Sequence, residues 1–341
     1  MKARTFALIL IALGFVVYLI AAYLFLFRAT ELDLSQQIKP TVFAGFGSFL
    51  AGAVGTLFSL AGVLLLIQNL HEQDRNFTRR QIEDRFFNLV RIHRENSDQI
   101  SIGKRTGKRV YITLWREFHS AYITLHRISG HLNLDGRKLV NVAYLAFYFG
   151  VSGRSGNILR KRLEGELDEQ KINLVIDTLK RHSIAIASVK SMREMGHENE
   201  TDHDSAEEKL FPYKLFEGHQ SRLGHYFRNL FQTVTYINKQ SPSILTYQEK
   251  YEYIKHLRAQ ISTHEQVFLL LNSLSDLGKA WELGEQVTNL NDRLITKYNL
   301  ITNIPDEFVP IISMRKHFPL VSYESDTEIA NERVALEKKY S

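Results

Sequence analysis

Cysteine is absent from this 341-residue chain. That excludes a disulfide scaffold, a thiolate metal site and a cysteine nucleophile. Proline is scarce, with six residues, so little of the chain is barred from helix. Charge is missing altogether from Thr5–Phe27 and from Thr41–Ile67. The words that mark common enzymes are missing too: no G-x-x-x-x-G-K-[ST], no G-x-G-x-x-G after a strand, no G-x-S-x-G and no H-E-x-x-H. These absences remove a plain soluble enzyme from consideration.

What is present falls into two unlike parts. Up to Leu70 the charged residues are Lys2, Arg4, Arg28, Glu31, Asp33 and Lys39. Beyond it lies an ordinary charged body in a chain that is 23% charged, 44% hydrophobic and net +6. A span needs about 20 apolar residues to cross the hydrocarbon, and both uncharged runs qualify. For a cleaved signal peptide the first run is too long, and a second follows after a short linker. The expectation is a transmembrane hairpin over residues 1–70, with spans at about 5–27 and 41–67. Lys2 and Arg4 precede the first span, while Arg75, Arg79, Arg80, Arg85, Arg91 and Arg94 crowd behind the second. The positive-inside rule therefore places both termini in the cytoplasm.

The second span carries one sharp pattern. Gly45, Ser48, Gly52, Gly55, Ser59 and Gly62 recur at intervals of three and four residues, forming a single helical stripe. Small residues in that register let helix backbones approach closely where lipid supplies no hydrophobic drive. Ala7, Gly14 and Ala21 form a thinner counterpart in the first span. Two readings are open: the stripe joins the two helices of one hairpin, or it drives oligomerisation and opening of the membrane. With no charged residue in either span, an ion pathway is disfavoured.

Behind the hairpin the 3–4 periodicity points to an all-α body. The second span should run on as helix through Ile82, Phe86, Leu89, Val90 and His93. Gly103–Arg109 reads as a basic turn, Val110–His131 as an aromatic amphipathic run, and Leu139–Phe149 as an apolar helix ended by Gly150. Asp168 should cap a helix to about Arg193, with Ile172, Val175, Ile176 and Leu179 inward. This first helical part spans 71–195. An acidic, aperiodic loop follows at 196–216; its His197, Asp202, His203 and Asp204 lack the fixed geometry a metal requires, and no metal or cofactor is expected. A second helical part, 217–322, should hold helices near His219–Asn238, Tyr247–Leu274 and Lys279–Tyr298. A charged tail follows at 323–341, in which Thr327–Lys339 reads as a short charged helix or a frayed end.

Two helices of the second part stand out on a wheel at about 100° per residue. Leu223, Phe227, Leu230, Phe231, Val234 and Ile237 share one face of the first, with His225, Arg228 and Gln232 opposite. In Tyr247–Leu274, Arg258, Glu265 and Asn272 fall within the apolar stripe. Charge there needs a partner, and Arg228 with Glu265 is the natural ion pair.

At these residues the chain resembles the phage abortive-infection proteins of the AbiC type. The matching words are FFNLVRIH (Phe86–His93), GHYFRNLF (Gly224–Phe231), LRAQISTHE (Leu257–Glu265) and LITKYNL (Leu294–Leu300), covering about 70–300 behind a two-span hairpin. The resemblance implies a bacterial anti-phage role and an inner-membrane location, and transfers no catalytic chemistry. It marks His225, Tyr226, Arg228, Arg258, Gln260, Ser262 and Glu265 as signature positions, beside Asn272 on the polar row; His264 departs from a more usual Tyr. By layout the chain is also similar to two-span effectors of retron defence systems, which implies a reverse transcriptase–RNA complex as partner. Homo-oligomers and the lipid bilayer complete the expected partners; no direct nucleic-acid site is evident. Arg258 and His264 also form R-x5-H, the spacing of all-α HEPN ribonucleases, but on one ideal helix they stand about 120° apart. The expected function is non-enzymatic abortive infection by compromising the membrane, with a membrane-tethered ribonuclease and a non-toxic membrane scaffold as the alternatives.

Overall fold

A computed structural model describes residues 2–28, 40–195, 213–327 and 330–340. Among them the order is α1 (Lys2–Arg28), α2 (Pro40–Phe49), a π-helical turn (Leu50–Val54), α3 (Gly55–Gln99), a two-residue pair β1 (Ser101–Ile102) and β2 (Arg105–Thr106), α4 (Arg109–His126), α5 (Ser129–Leu132), α6 (Gly136–Phe149), α7 (Gly153–Leu163), α8 (Glu169–Met195), α9 (Gln220–Asn238), α10 (Tyr247–Arg258), α11 (Thr263–Leu274), α12 (Leu294–Tyr298), α13 (Met314–His317) and α14 (Asn331–Tyr340). The protein is all-α, with two long apolar helices ahead of a helical body. Two compact units divide at Ile82. The four acidic-loop residues named above lie outside the described residues.

Two helical stretches, Arg4–Phe27 in the first unit and Phe43–Gln99, which begins there and runs on past Ile82, are long and apolar enough to cross a membrane. Pro40 opens α2 at the first helical position, where its missing N–H costs nothing. The seam between the two helices is built on Ala7, Leu10 and Ala61, with Ile11, Leu57, Leu64 and Leu65 packed around them. Gly14 lies under Phe58, whose ring would stand 3.1 Å from any added Cβ. Farther along, Phe25 stacks on Phe46 at 4.1 Å and meets Phe43 edge-on at 5.4 Å. The thin pattern of α1 therefore makes the close approach. The stripe of the second span does not: Gly45, Ser48, Gly52, Ser59 and Gly62 are exposed and Gly55 is half-buried. A Cβ placed on Gly45, Gly52 or Gly62 meets nothing within 4 Å. The reading in which the stripe joins the hairpin is thereby corrected. The π turn closes with the Gly55 N–H on the Leu50 carbonyl, and such a turn re-registers every residue beyond it.

In the second unit α4 packs against α6, α8 and α11. Tyr111, Leu114, Phe118 and Ala121 meet Ala143, Tyr144 and Phe147 of α6 and Phe268 of α11 in a core without solvent. Glu265 to Leu274 is buried on every side, as befits a central helix. The segments before and after the acidic loop thus share one core. Gly150 and Gly218 end the chain segments that meet there, at φ +87° and +93°. A Cβ on Gly150 would fall 2.5 Å from the Glu217 backbone, so glycine is required. That approach lets the His219 N–H bond to the Tyr148 carbonyl at 2.8 Å and the Val151 N–H to that of Phe216 at 2.9 Å.

Two helix expectations change. Tyr247–Leu274 is two helices, because Ser262 starts a new one at a capping box. Most of Lys279–Tyr298 is not α-helical: a 3-10 turn at Asp276–Trp281 brings Gly278 against the Asn272 backbone, too close for any side chain. Of the two forms open to the charged tail, residues Asn331–Tyr340 take the helical one, docked through Arg333, which is only 1% exposed.

Candidate functional site

The break between α10 and α11 creates the most polar point of the core. Ser262 is the N-cap of α11 and Glu265 its N3 residue, so each satisfies the other's backbone donor. The Ser262 N–H and hydroxyl donate to Glu265 Oε2 at 2.8 and 2.6 Å. Its second oxygen, Oε1, accepts from Ser97 of α3 at 2.6 Å. Glu265 is 0% exposed, and those three donors replace the water it gave up.

Neutral rings close around this carboxylate. His93 of α3 lies 4.7 Å from the Tyr226 ring of α9, which lies 5.5 Å from that of Tyr111 of α4. Burial pushes the His93 imidazole down to about 4, against the upward pull of Glu265. Burial likewise raises both phenols well above the usual tyrosine range, with Glu265 adding to it. Neither ring nitrogen of His93 and neither phenol has a hydrogen-bond partner of good geometry. Around Glu265 the imidazole and both phenols stay neutral at pH 7, an arrangement suited to holding four helices in register. The His93 imidazole, held near 4, is not tuned as a general base near pH 7.

A second node lies at the C-terminus of α12, where carbonyls without helical partners need donors. Arg258 donates to the Tyr298 and Asn299 carbonyls at 3.1 and 3.0 Å. Arg333 of α14 donates to those of Thr296, Lys297 and Leu320. Two guanidinium cations thus sit at the negative end of one short helix. Lys297 is turned away, onto Asn238 Oδ1 at 2.8 Å, and burial lowers its ammonium to about 8.

The remaining signature positions separate by burial. His225, Arg228 and Gln260 are exposed, while Tyr226 and Asn272 are buried. Asn272 donates to the Tyr144 hydroxyl at 3.3 Å and accepts from the Trp281 indole at 3.2 Å. The expected Arg228–Glu265 pair does not form, since an exposed guanidinium on the outer face of α9 cannot reach the core carboxylate. Arg258 and His264 are not brought together: Arg258 serves α12, whereas the His264 ring packs edge-on against Phe308 at 4.8 Å. Sequence reasoning missed Ser97, Tyr111 and Arg333. It also missed a buried contact on α4, where Glu117 accepts from the Tyr213 hydroxyl, the Phe216 N–H at 2.7 Å and His219 Nε2 at 2.8 Å. No cluster of three or more His, Asp and Glu side chains suited to a metal gathers among the described residues.

Three of the four resemblance words therefore meet at one buried node, through His93, Tyr226 and Glu265, and the fourth meets Arg258. Residues 218–309 match the model of a family described as putative phage abortive infection protein. The matched stretch holds Tyr226, Arg258, Ser262, Glu265, Asn272 and the end of α12, which is the part of both nodes that α9 to α12 supply. His93, Ser97 and Tyr111 lie outside it and complete the first node from α3 and α4. Searches of curated proteins and of solved structures found no match. What the abortive-infection match implies is a role in phage abortive infection.

Proposed function

We propose that this protein is a membrane-bound effector of bacterial anti-phage defence, which causes abortive infection by assembling its hairpins and compromising the inner membrane. The observation that carries this reading is the small-residue stripe of the second span, left open by a hairpin that packs through Ala7, Gly14 and Ala61 instead. In lipid an open stripe of Gly and Ser is a surface on which a second copy packs closely. Both termini lie in the cytoplasm on this reading, and the body restrains the hairpins until a phage factor or a defence partner, such as a reverse transcriptase–RNA complex, releases them. The effect is not catalytic, and nothing favours a ribonuclease centre on Arg258 and His264.

The test compares two glycines that differ in surroundings. Gly52→Leu adds bulk where the chain leaves space, so the protein should insert in normal amount and lose protection. Leu itself favours insertion by about 0.3–0.6 kcal/mol at the bilayer centre. Gly14→Leu drives into Phe58 and should lower the amount of protein. If Gly52→Leu protects as well as the natural sequence does, the stripe does not build the active assembly.

A further inference from the structure

A cavity of about 560 Å³ opens beside α4 in the second unit, and its lining residues are not those of either node. Its volume lies in the range of small-molecule sites, and its two ends differ in chemistry. One end is aromatic, between Trp115 of α4 and Phe308. Phe308 is braced from behind by the His264 ring at 4.8 Å. The other end is basic and hydroxylic: Ser120 and His182 of α8 are joined at 2.8 Å, and Arg127, the C-cap of α4, stands seven residues beyond Ser120. Arg116 and His119 line the same face. Neither Arg116 nor Arg127 has an ion-pair partner among the described residues. The Arg127 guanidinium, an imidazole and a hydroxyl at one end suit an anion with several acceptor oxygens, while Arg116, eleven residues earlier along the same helix, lies toward the aromatic end near His264. The aromatic walls suit a planar ring. Glu307 at the rim repels a bare anion but accepts from a sugar hydroxyl or a base amino group.

We propose that this cavity binds a nucleotide, with its base between Trp115 and Phe308 and its phosphates toward Ser120, His182 and Arg127. The full chain in lipid nanodiscs is titrated calorimetrically with ATP, inorganic pyrophosphate, adenosine and a short RNA oligonucleotide. ATP should bind with a Kd below about 1 mM, pyrophosphate more weakly and adenosine more weakly still. Arg127→Gln, at an exposed position, should weaken ATP and pyrophosphate by about tenfold, the effect of losing one charge-assisted hydrogen bond. Phe308→Ala should weaken ATP and leave pyrophosphate unchanged. The proposal is overturned if ATP does not bind, if Arg127→Gln binds it as tightly as the natural sequence does, if pyrophosphate binds as well as ATP, or if only the RNA binds.

Discussion

Replacing Glu265 by Ala should unsettle the helical body more than any other single change on the polar row. The substitution removes half of the α11 capping box, which alone is worth about 0.5–2 kcal/mol. It also leaves the Ser97 and Ser262 hydroxyls, both 2.6 Å from the lost carboxylate, without an acceptor, at about 1–3 kcal/mol for each donor that stays dry. Against this stands the relief of a buried charge, which is itself costly to hold. The net loss should be about 3–5 kcal/mol, a large share of the 5–15 kcal/mol typical of a domain. Ser97→Ala removes one donor and should cost about 1.5–3 kcal/mol, since that bond runs to a charged group. Urea unfolding followed by tryptophan fluorescence measures this without interference from the hairpin, because Trp115 and Trp281 are the two tryptophans of the chain and both lie in the body. Trp281 is only 2% exposed, so its emission shifts when the body opens. A loss below about 1 kcal/mol for Glu265→Ala, at unchanged denaturant dependence, would refute the node as the keystone of the body.

Two further outcomes follow from the same contacts. The His93 imidazole is held down at about 4 against an ordinary 6.5, so the unfolded chain takes up a proton between those values that the folded chain refuses. Its contribution is therefore fully present above pH 6.5 and falls as the pH drops toward 4, by about 3 kcal/mol in all; His93→Phe should flatten that part of the stability profile, and a profile left as steep would show the proton is bound elsewhere. Arg333→Ala should strip the donors from the Thr296, Lys297 and Leu320 carbonyls and undock α14, read as faster amide exchange over 331–340; protection equal to that of the natural sequence would show that the helix is held by other contacts.

How much of this was legible beforehand depended on whether a residue's surroundings are local. The two apolar runs, the Asp168 cap, with its carboxylate on the Lys171 N–H at 2.9 Å, and the Gly150 stop are matters of neighbouring residues, and each stands where the sequence places it. The α10–α11 break was spelled out as S-x-x-E at Ser262 and Glu265 but overlooked, since Leu257, Ile261 and Phe268 keep helical phase across it. The wheel set Arg228 opposite the apolar face, which was right, yet the search for a partner to Glu265 looked to charge. Its partners were serine hydroxyls and a backbone N–H, one of them 168 residues away along the chain. Arg333 gave no signal, because donors to the carbonyls of a short helix have no spacing rule. The glycine stripe was plain in sequence, but which face of a helix meets its neighbour is settled only by packing.

The most direct measurement follows membrane potential and entry of an impermeant dye in single cells during phage infection, with and without this protein. Compromise of the membrane by assembled hairpins predicts depolarisation and dye entry before phage release, in cells carrying the natural sequence and not in cells carrying Gly52→Leu. Protected cultures whose infected cells die polarised and dye-tight would contradict it.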